Sequence, residues 1–331
     1  MADIARTGRP YLAAMAQQTG PGAFPSTPKT YLKYVKCNFK ENVDEKKIQT
    51  HDGTRSGGFV AREQAKPSGN INMPAWPENG LEPFLGYALG DWSIVGAASP
   101  YTHTIKPKNV LPYFTVWQWP KGIDEKPDVH MDCLLNTLEF KAEGPGVLDM
   151  TVDIVCNPLD LSKTAPTETY SPSKPFIFNQ AALTLDGVAL PFSKWNLKID
   201  NNIGDGLPLA GGNLYNAFRA PDNLDITGHL EYPFKNQDDL KKWLGGSTTS
   251  TTLTSTILDH TLGITFTGDI ISGATPYSLS FALARINLKE PEIDKDSNDP
   301  LVYAQDFEAL PAANGDLLTA TVVSALAQAG I

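Results

Sequence analysis

An internal duplication constrains the fold of this chain more than any other feature of its sequence. Residues 35–43 match residues 195–203 at a spacing of 160 (195 − 35), and residues 69–86 match residues 228–245 at a spacing of 159 (228 − 69). Repeats of a few dozen residues indicate solenoids, whereas one duplication of this period indicates a domain that was copied and fused. The chain therefore offers two similar but unequal surfaces, which favours ring assembly over a single active site.

A third block extends the match toward the C-terminus. It pairs Leu138, Glu139, Gly146 and Leu148 with Phe307, Glu308, Gly315 and Leu317 at a spacing of 169 (307 − 138). This larger spacing predicts extra residues in the middle loops of the second half.

Composition excludes several classes of protein. A length of 331 residues suits two domains of ordinary size. Hydrophobic residues at 41% and charged residues at 19% are typical of a folded, soluble protein. A net charge of −10 argues against a nucleic-acid grip, because phosphate binding needs clustered Lys and Arg side chains.

The cysteines and the N-terminal region indicate a reducing compartment. Cys37, Cys133 and Cys156 have no CxxC spacing, and their strand-like neighbourhoods predict buried thiols. The apolar stretch from Tyr11 to Ala16 is too short for the core of a signal peptide. No segment approaches the roughly 20 apolar residues of a membrane span.

Alternating apolar and polar residues predict a mainly β protein. Leu148, Met150, Val152 and Ile154 alternate with polar residues, which is the period of a half-buried strand. We expect two tandem β-sandwich or barrel modules of one type, each with one short α-helix. The predicted divisions are an irregular N-terminal arm (1–28), a first module (29–157), a Pro/Ser/Thr-rich linker (158–179), a second module (180–325) and a C-terminal tail (326–331). Further strands are expected at 31–42, 57–65, 111–119, 130–141, 180–186, 193–201, 224–232, 261–267, 276–286, 301–309 and 316–323, and an exposed loop at 288–300.

Each half has one helix pattern at the same point of the repeat. In the second half Asn236 can cap, Asp239 takes the third helical position and Gly245 ends the helix. In the first half Asn79 caps and Glu82 takes the third position.

Very little in the sequence resembles a catalytic site. The five histidines are scattered and predict isolated surface or turn positions, namely His51, His103, His130, His229 and His260. Gly204-x-Gly206 followed by Gly211-Gly212 lacks the Lys-Ser or Lys-Thr of a phosphate loop, and it predicts a flexible hairpin tip. We predict no enzyme activity and no catalytic residue, cofactor or metal site.

Two alternative functions depend on particular side chains. Asp124, Glu125, Asp128 and Asp132 could contain the carboxylate pair of a glycosidase. Trp117 and Trp119, with Tyr113, Trp92 and Tyr101 nearby, could form a sugar-stacking platform. Tyr113, Thr115, Trp117 and Trp119 share one strand face, so core or interface packing is the commoner explanation.

The order of strand, long loop, strand and helix in both halves resembles the tail tube proteins of long-tailed bacteriophages. In the first half this order runs from Tyr31 to Gly90 and includes NGLEPFLGYALG. In the second half it includes KIDNNIGDG at 198–206 and NLDITGHLEYPF at 223–234. The resemblance covers most of residues 30–325.

The resemblance implies a structural role in the virion tail. It implies β-sandwich modules that join edge to edge around a channel, with two fused modules per chain forming stacked, pseudo-hexameric rings of three chains. The loops at about 43–58 and 203–216 would reach toward the next ring, and the Leu81 and Leu240 helices would pack on the outside of the inner sheet. Its partners would be copies of itself, a tape measure protein in the lumen, and terminator, distal tail or baseplate proteins. Double-stranded DNA would pass through without specific binding, no membrane would be involved, and assembly would occur in the host cytoplasm.

Asp149 and Asp153 are candidates for the face that lines such a channel, because they are the polar partners on a strongly alternating strand. Three other hypotheses remain open at this point. The chain could be a distal tail or terminator protein of related fold, a carbohydrate-binding β-sandwich, or a hydrolase that uses Asp124 or Asp128.

Overall fold

The computed structural model is mainly β with two short α-helices, as the sequence predicts. It describes residues 11–49, 58–121, 126–208, 214–217, 219–255, 258–293, 300–313 and 315–327. Within these ranges, no helix has the length and apolar character that crossing a membrane requires. The helices are α1 (Glu82–Leu89) and α2 (Asp238–Gly245). The strands of the described residues are β1 (Tyr11–Gln17), β2 (Thr30–Leu32), β3 (Lys36–Lys40), β4 (Val43–Ile48), β5 (Phe59–Ala65), β6 (Ser68–Pro74), β7 (Gly90–Val95), β8 (Tyr101–Pro107), β9 (Phe114–Pro120), β10 (Asp128–Glu143), β11 (Asp149–Val155), β12 (Leu159–Asp160), β13 (Ala181–Leu185), β14 (Val188–Ala189), β15 (Lys194–Asp200), β16 (Asp225–Pro233), β17 (His260–Ser272), β18 (Thr275–Leu288), β19 (Val302–Ala309) and β20 (Thr319–Ser324).

One long antiparallel sheet runs through both halves of the chain. Its strand order is β3, β6, β11, β10, β15, β16 and β19. Apolar and polar residues alternate along these strands, so one face of the sheet is apolar and buried while the other is polar. We call this sheet the inner sheet and its polar side the polar face.

A second sheet covers the apolar side of the inner sheet. Its strand order is β14, β13, β17, β18, β20, β8 and β7. The Phe281 ring lies 5.0 Å from that of Phe140 and 5.9 Å from that of Trp195, measured between centroids. Fully burying such side chains contributes about 1.5–3 kcal/mol each. The two sheets therefore form a β-sandwich around one core that includes residues of both halves.

The N-terminal arm is not wholly irregular, so that part of the prediction is wrong. Residues Tyr11–Gln17 form β1, which pairs with β9 and with β2. Its short side chains are buried on both faces: Ala13 and Met15 join the main core, whereas Ala14 packs with Trp117 in a smaller one. The apolar run at Tyr11 therefore marks a strand that is enclosed on two sides.

Two cysteines occupy the core as predicted. Cys133 and Cys156 are fully buried, and their Sγ atoms lie 2.8 Å apart. Cys37 is partly buried and packs against the core, and the Gln118 side chain donates to its carbonyl oxygen at 3.1 Å. All three are free thiols.

The helix boundaries differ from the capping predictions. α1 begins at Glu82, two residues later than an Asn79 cap requires, because Gly80 adopts a φ of 131° and interrupts the turn. The Asn79 side chain instead donates to the Ser171 carbonyl oxygen at 3.2 Å. In α2, the Asn236 side chain does accept a hydrogen bond from the Asp238 amide, at 3.0 Å.

Gly246, rather than Gly245, follows the last residue of α2. It has a φ of 80°, the left-handed conformation that glycine adopts readily at helix C-termini. α1 is buried throughout and packs against β7, β8 and β10, whereas α2 is only half-buried.

The same strand pairing occurs in both halves of the chain, at the positions aligned by the first two blocks of the sequence match. β6 lies between β3 and β11, and β16 lies between β15 and β19. Asn42 and Asn202, which the first block aligns, both have positive φ, at 44° and 46°. The division into tandem modules, with the boundaries given above, stays a prediction.

The third block of the sequence match is wrong. It aligned Leu138 of β10 with Phe307 of β19. In the structure β19 pairs with β16 as β11 pairs with β6, so β19 corresponds to β11. Alternation at period two looks alike in any half-buried strand, and this similarity produced the false match.

The first long loop contains a hairpin. Residues Val43–Ile48 and Phe59–Ala65 form a separate two-stranded sheet, and its large apolar residues Phe59 and Val60 are more than half exposed. Residues 50–57, between the two strands, lie outside the described residues. In the second half, Leu207 pairs with Ala217, and residues 209–213 between them are also outside the described residues.

Segments distant in sequence meet at the start of α1. The Glu78 carboxylate accepts hydrogen bonds from the Tyr277 hydroxyl at 2.9 Å and from the Ala325 amide at 3.0 Å. The Ser171 hydroxyl also donates to it. Glu78 therefore holds the linker and the segment after β20 against the first half.

Glu82 and His103 form a buried polar pair beside Glu78. Their side chains are 1% and 0% exposed, with Oε1 and Nε2 separated by 3.5 Å. Burial raises the pKa of Glu82 to about 8, and the Ser324 hydroxyl opposes that rise. Burial also lowers the pKa of His103. His103 Nδ1 accepts from Trp92 Nε1 at 3.0 Å, so the hydrogen bonds assign the neutral tautomer with the proton on Nε2.

We expect the raised pKa of Glu82 to make the protein less stable as pH increases. The folded state holds the proton more tightly than the unfolded state, so the contribution is fully present below the ordinary pKa of 4.5 and is lost as pH rises toward 8. The slope is roughly 1 kcal/mol per pH unit. Glu82→Gln should remove this slope in urea unfolding measured across that range, while Glu63→Gln, at an exposed site, should keep it. An unchanged slope in Glu82→Gln would contradict the assignment.

Candidate assembly surfaces

The polar face of the inner sheet carries an excess of negative charge. Alternation along these strands, interrupted in β10 between Leu135 and Thr137, places every second side chain of the regular stretches on this side. The charged side chains on it, among the described residues, are nine carboxylates (Glu139, Glu143, Asp149, Asp153, Asp200, Asp225, Glu231, Asp306 and Glu308) and five lysines (Lys36, Lys40, Lys141, Lys194 and Lys198). Asp149 and Asp153 therefore lie on the polar face, and their position in a channel stays a prediction.

Polar side chains form rows that cross the sheet at right angles to the strands. Asp153 Oδ1 accepts from Asn70 Nδ2 at 2.6 Å, and its Oδ2 accepts from the Thr137 hydroxyl at 2.7 Å. The strand registers continue this row across both halves of the chain. In order, the row is Asn38, Asn70, Asp153, Thr137, Asp200 and Asp225.

One pair in this row brings like charges together. Asp200 and Asp225 are directly opposite, an arrangement that is destabilising unless it is compensated. Lys198 Nζ lies 2.7 Å from Asp200 Oδ2, and Asn202 Nδ2 donates to Asp225 Oδ2 at 2.8 Å. Lys198, on the same strand as Asp200, and Asn202, in the turn after it, thus compensate the two opposed carboxylates.

The two halves of the chain join at a seam between β10 and β15. Seven residue pairs are in register there, from Thr137 with Asp200 to Glu143 with Lys194. On the apolar side, Phe140 faces Leu197, and both are fully buried. Strand hydrogen bonds and a continuous core therefore unite the halves into one sheet.

Asn201 clamps the apolar side of this seam. It is 3% exposed, and its Nδ2 donates to the carbonyl oxygens of Ala88 at 3.0 Å and Leu135 at 2.9 Å. Ala88 belongs to the last turn of α1, where carbonyl groups have no partner within the helix. The backbone amide of Asn201 also donates a hydrogen bond, to the Asn136 carbonyl oxygen at 2.8 Å.

The inner sheet has an open edge at β3. Within the described ranges, β3 pairs only with β6, and its polar-face residues are exposed. Val35, just before it, is 75% exposed. At the other end, β19 is covered by the end of β18 and by Glu292, which exchanges backbone hydrogen bonds with Ala304 at 2.8 and 2.9 Å.

The loops that follow Asn42 and Asn202 contact one another. The Ala65 amide donates to the Leu214 carbonyl oxygen at 2.8 Å, and the Tyr215 hydroxyl donates to Glu41 Oε2 at 3.0 Å. Lys66 Nζ lies 2.6 Å from Asp205 Oδ2. The loop of the second half therefore reaches back across the first half to the end of β3.

A comparison with protein families identifies the group to which this architecture belongs. The family model described as phage tail tube protein matches residues 12–309, which is most of the chain. The chain belongs to the phage tail tube protein family. No curated protein matches it at a significant level. Membership confirms the resemblance drawn from both halves and gives the chain a structural role in the tail of a virion.

The candidate sugar platform is buried inside this tail tube protein. Trp117 and Trp119 are 1% and 3% exposed, and the Phe24 ring lies 5.5 Å from that of Trp117. Their faces are covered by β1 and by neighbouring side chains. Trp117 and Trp119 therefore pack in a core, which is the commoner of the two explanations given above.

Two of the four candidate carboxylates, Asp124 and Glu125, lie outside the described residues, and Asp128 begins β10. Asp132 Oδ1 accepts from Gln18 Nε2 at 2.8 Å and from the Gly22 amide at 2.7 Å, so it anchors the segment after β1. Among the described residues, no cluster of His, Cys, Asp or Glu side chains has the arrangement that a metal ion needs.

The prediction of surface or turn histidines is wrong for three of the five. Each buried imidazole has a partner: Trp92 for His103, the stacked Phe39 ring at 4.3 Å for His130, and Asp186 at 2.8 Å for His260. His229 lies on the polar face, 2.7 Å from Asp306, and His51 is outside the described ranges.

The glycine motif lies in the irregular loop of the second half. Gly206 has a φ of 78° beside the Leu207–Ala217 pair, which fits a hairpin-like turn. Gly211 and Gly212 fall outside the described residues.

Removing the Asn201 side chain should weaken the seam. Asn201→Ala leaves two buried carbonyl oxygens without their donors, and we expect a loss of about 2–4 kcal/mol in the free energy of unfolding. Asn196→Ala, on the polar face of β15, should change the free energy of unfolding by less than about 0.5 kcal/mol. Urea unfolding of both variants checks this. Equal losses of stability would show that the Asn201 hydrogen bonds to Ala88 and Leu135 do not contribute to the stability of the seam.

Proposed function

We propose that this tail tube protein polymerises into stacked rings that form the conduit for genome ejection, and that it has no catalytic role. In each ring, the open edge of β3 pairs with the far edge of the inner sheet of the next copy, at residues 286–293. The β10–β15 seam is the observation that carries the proposal. There, β10 of the first half pairs with β15 of the second half, as the edge strands of two separate chains would pair.

The order of strands supports a ring of three chains. β3, β6 and β11 have the same order as β15, β16 and β19, so each chain supplies two similar segments of sheet. A head-to-tail contact whose rotation closes forms a ring. Closure would satisfy the exposed edge of every copy at once. Three chains would then give a pseudo-hexameric ring.

The polar face would line the channel. Its excess of carboxylates over lysines would repel DNA and keep it from adhering to the wall. Charges are screened over about 8 Å at physiological salt, so only side chains that face the channel affect passing DNA. Asp149 and Asp153 would belong to this lining. A tape measure protein would occupy the same channel before DNA.

Contacts along the tube would come from the loops. The β4–β5 hairpin projects Phe59 and Val60 into solvent, and these are side chains that a neighbouring ring could bury. Terminator and distal tail or baseplate proteins would bind the two ends of the stack. Free buried thiols fit assembly in the reducing host cytoplasm.

Negative-stain microscopy tests the proposal directly. Purified protein, or tails isolated from virions, should show rings or tubes with a central channel. Mass measurement of isolated rings should give three chains of 35.9 kDa each. Protein that stays monomeric at every salt concentration and is absent from virions would refute the role.

Cysteine labelling tests which face lines the channel. Asp149→Cys, on the polar face, should react with a maleimide attached to a large polymer in the monomer but be protected in tubes. Thr267→Cys, exposed on the outer face of the second sheet, should react in both states. Equal labelling of Asp149→Cys in monomers and tubes would place the polar face elsewhere.

A further inference from the structure

Two cysteines face each other just beyond one end of the β10–β11 pairing. The last registered pair at that end is Leu134 with Val155, so the next pair along is Cys133 with Cys156. Both cysteine side chains are fully buried, and their Sγ atoms lie 2.8 Å apart. Two free thiols on neighbouring strands are therefore already in contact.

The backbone geometry at this pair suits a disulfide. The Cys156 amide donates to the Pro67 carbonyl oxygen at 3.0 Å, on the β6 side, so it does not point toward β10. Cys133 and Cys156 therefore form a non-hydrogen-bonded pair, in which the Cα atoms of antiparallel strands are about 4.5 Å apart. Disulfides join cysteines whose Cα atoms are about 4.4–6.8 Å apart. The bond can thus form without displacement of either strand.

We propose that Cys133 and Cys156 are a modification site, which hydrogen peroxide converts to a disulfide after the protein leaves the reducing interior of the cell. The inference goes beyond the proposed conduit and does not depend on ring formation. A protein of the virion tail is synthesised inside a cell and persists in a particle outside it. Thiols are kept reduced only in the first of these environments.

The reaction consumes one peroxide for each cysteine pair. The thiolate of one cysteine attacks a peroxide oxygen, the O–O bond breaks and hydroxide leaves, so that this sulfur becomes a sulfenic acid. The sulfur of the other cysteine then attacks the sulfenic sulfur and forms the S–S bond, while the S–O bond breaks and the oxygen leaves as water. The sulfurs together lose two electrons, which reduce the peroxide, and both thiol protons end in water.

Burial determines how readily the thiols react. It raises the pKa of Cys133, so the thiolate that attacks the peroxide is scarce at neutral pH and becomes more abundant as pH increases. Burial also raises the pKa of Cys37 to about 12. The Cys37 Sγ accepts a hydrogen bond from Gln118 Nε2 at 2.9 Å, and in the proposed state it stays a free thiol. Oxidation of the pair should therefore be faster at higher pH.

The disulfide would fix a point where the two halves of the chain meet. Pro67 has no amide hydrogen with which to bind the Cys156 carbonyl oxygen. Arg219 of the second half supplies the donor instead, through Nη1 at 2.6 Å. The two cysteines are 23 residues apart in sequence, and a bond between them lowers the conformational entropy of the unfolded chain. The oxidised protein should therefore unfold at a higher urea concentration than the reduced protein.

Thiol counting after oxidation tests the proposal. The wild-type chain is incubated with hydrogen peroxide under native conditions, then unfolded in urea and alkylated. Of its three thiols only Cys37 should react, and dithiothreitol added before alkylation should restore all three. Trypsin cleaves after Lys141, between the paired cysteines, so peptides 122–141 and 142–163 should stay joined until reduction. Cys37→Ala, the matched control, should give the same joined peptides.

The remaining variants separate this pair from other thiol chemistry. Cys133→Ala and Cys156→Ala should each form no internal bridge, and their urea midpoints should not change on oxidation. Three reactive thiols in the oxidised wild type, a bridge that contains Cys37, or a loss of thiols that dithiothreitol does not reverse would overturn the proposal. Should either alanine variant unfold, the peptide maps of the wild type and Cys37→Ala decide. Because these measurements use the unassembled chain, failure of the proposed ring leaves them unaffected.

Discussion

The architecture depends on one constraint, which is that each strand edge in a sheet must find hydrogen-bond partners. β10 shows how far this constraint shapes the chain. Its first part pairs with β9 and β12, and its second part pairs with β11 on one side and β15 on the other. Because β15 belongs to the second half, its pairing with β10 makes the inner sheet continuous across both halves. The shared core follows from that pairing, since Phe140 meets both Phe281 and residues of β15 across the seam.

Alternation turns this continuous sheet into an electrostatic surface. Once the apolar residues of seven strands face the core, their polar neighbours have to share the opposite side. Carboxylates then come into direct opposition, as in the Asp200 and Asp225 pair, and local donors such as Lys198 and Asn202 hold them. In the proposed tube, this concentration of negative charge on one face would repel a passing polyanion and keep it from adhering to the wall.

The sequence predicted the fold class, most strands and the family, because these depend on local periodicity and on the duplication. The paired Asn42 and Asn202 conformations were within its reach for the same reason, since asparagine tolerates positive φ. Prediction from the sequence failed where tertiary contacts determine the structure. β1 was missed because its short, uniformly apolar run has no alternation when both faces are buried. The buried histidines were missed because their partners, such as Trp92 and Asp186, are specified only by the fold. The seam between halves, including Asn201, could not be predicted, because nothing local distinguishes a strand that pairs across modules.

The two helices differ in burial. α1 and α2 occupy matching positions in the sequence repeat, yet α1 is wholly buried and α2 is half-buried beside a cavity. Helix propensity does not explain the difference, because burial depends on what packs against each helix. α1 has the next segment of sheet beside it, supplied by β15 and Asn201 of the same chain. α2 stands at the end of the polypeptide's own sheet, and in the proposed ring another copy would supply the same neighbour. In that proposal one junction is intramolecular, the β10–β15 seam, and the equivalent junction at α2 forms only on assembly.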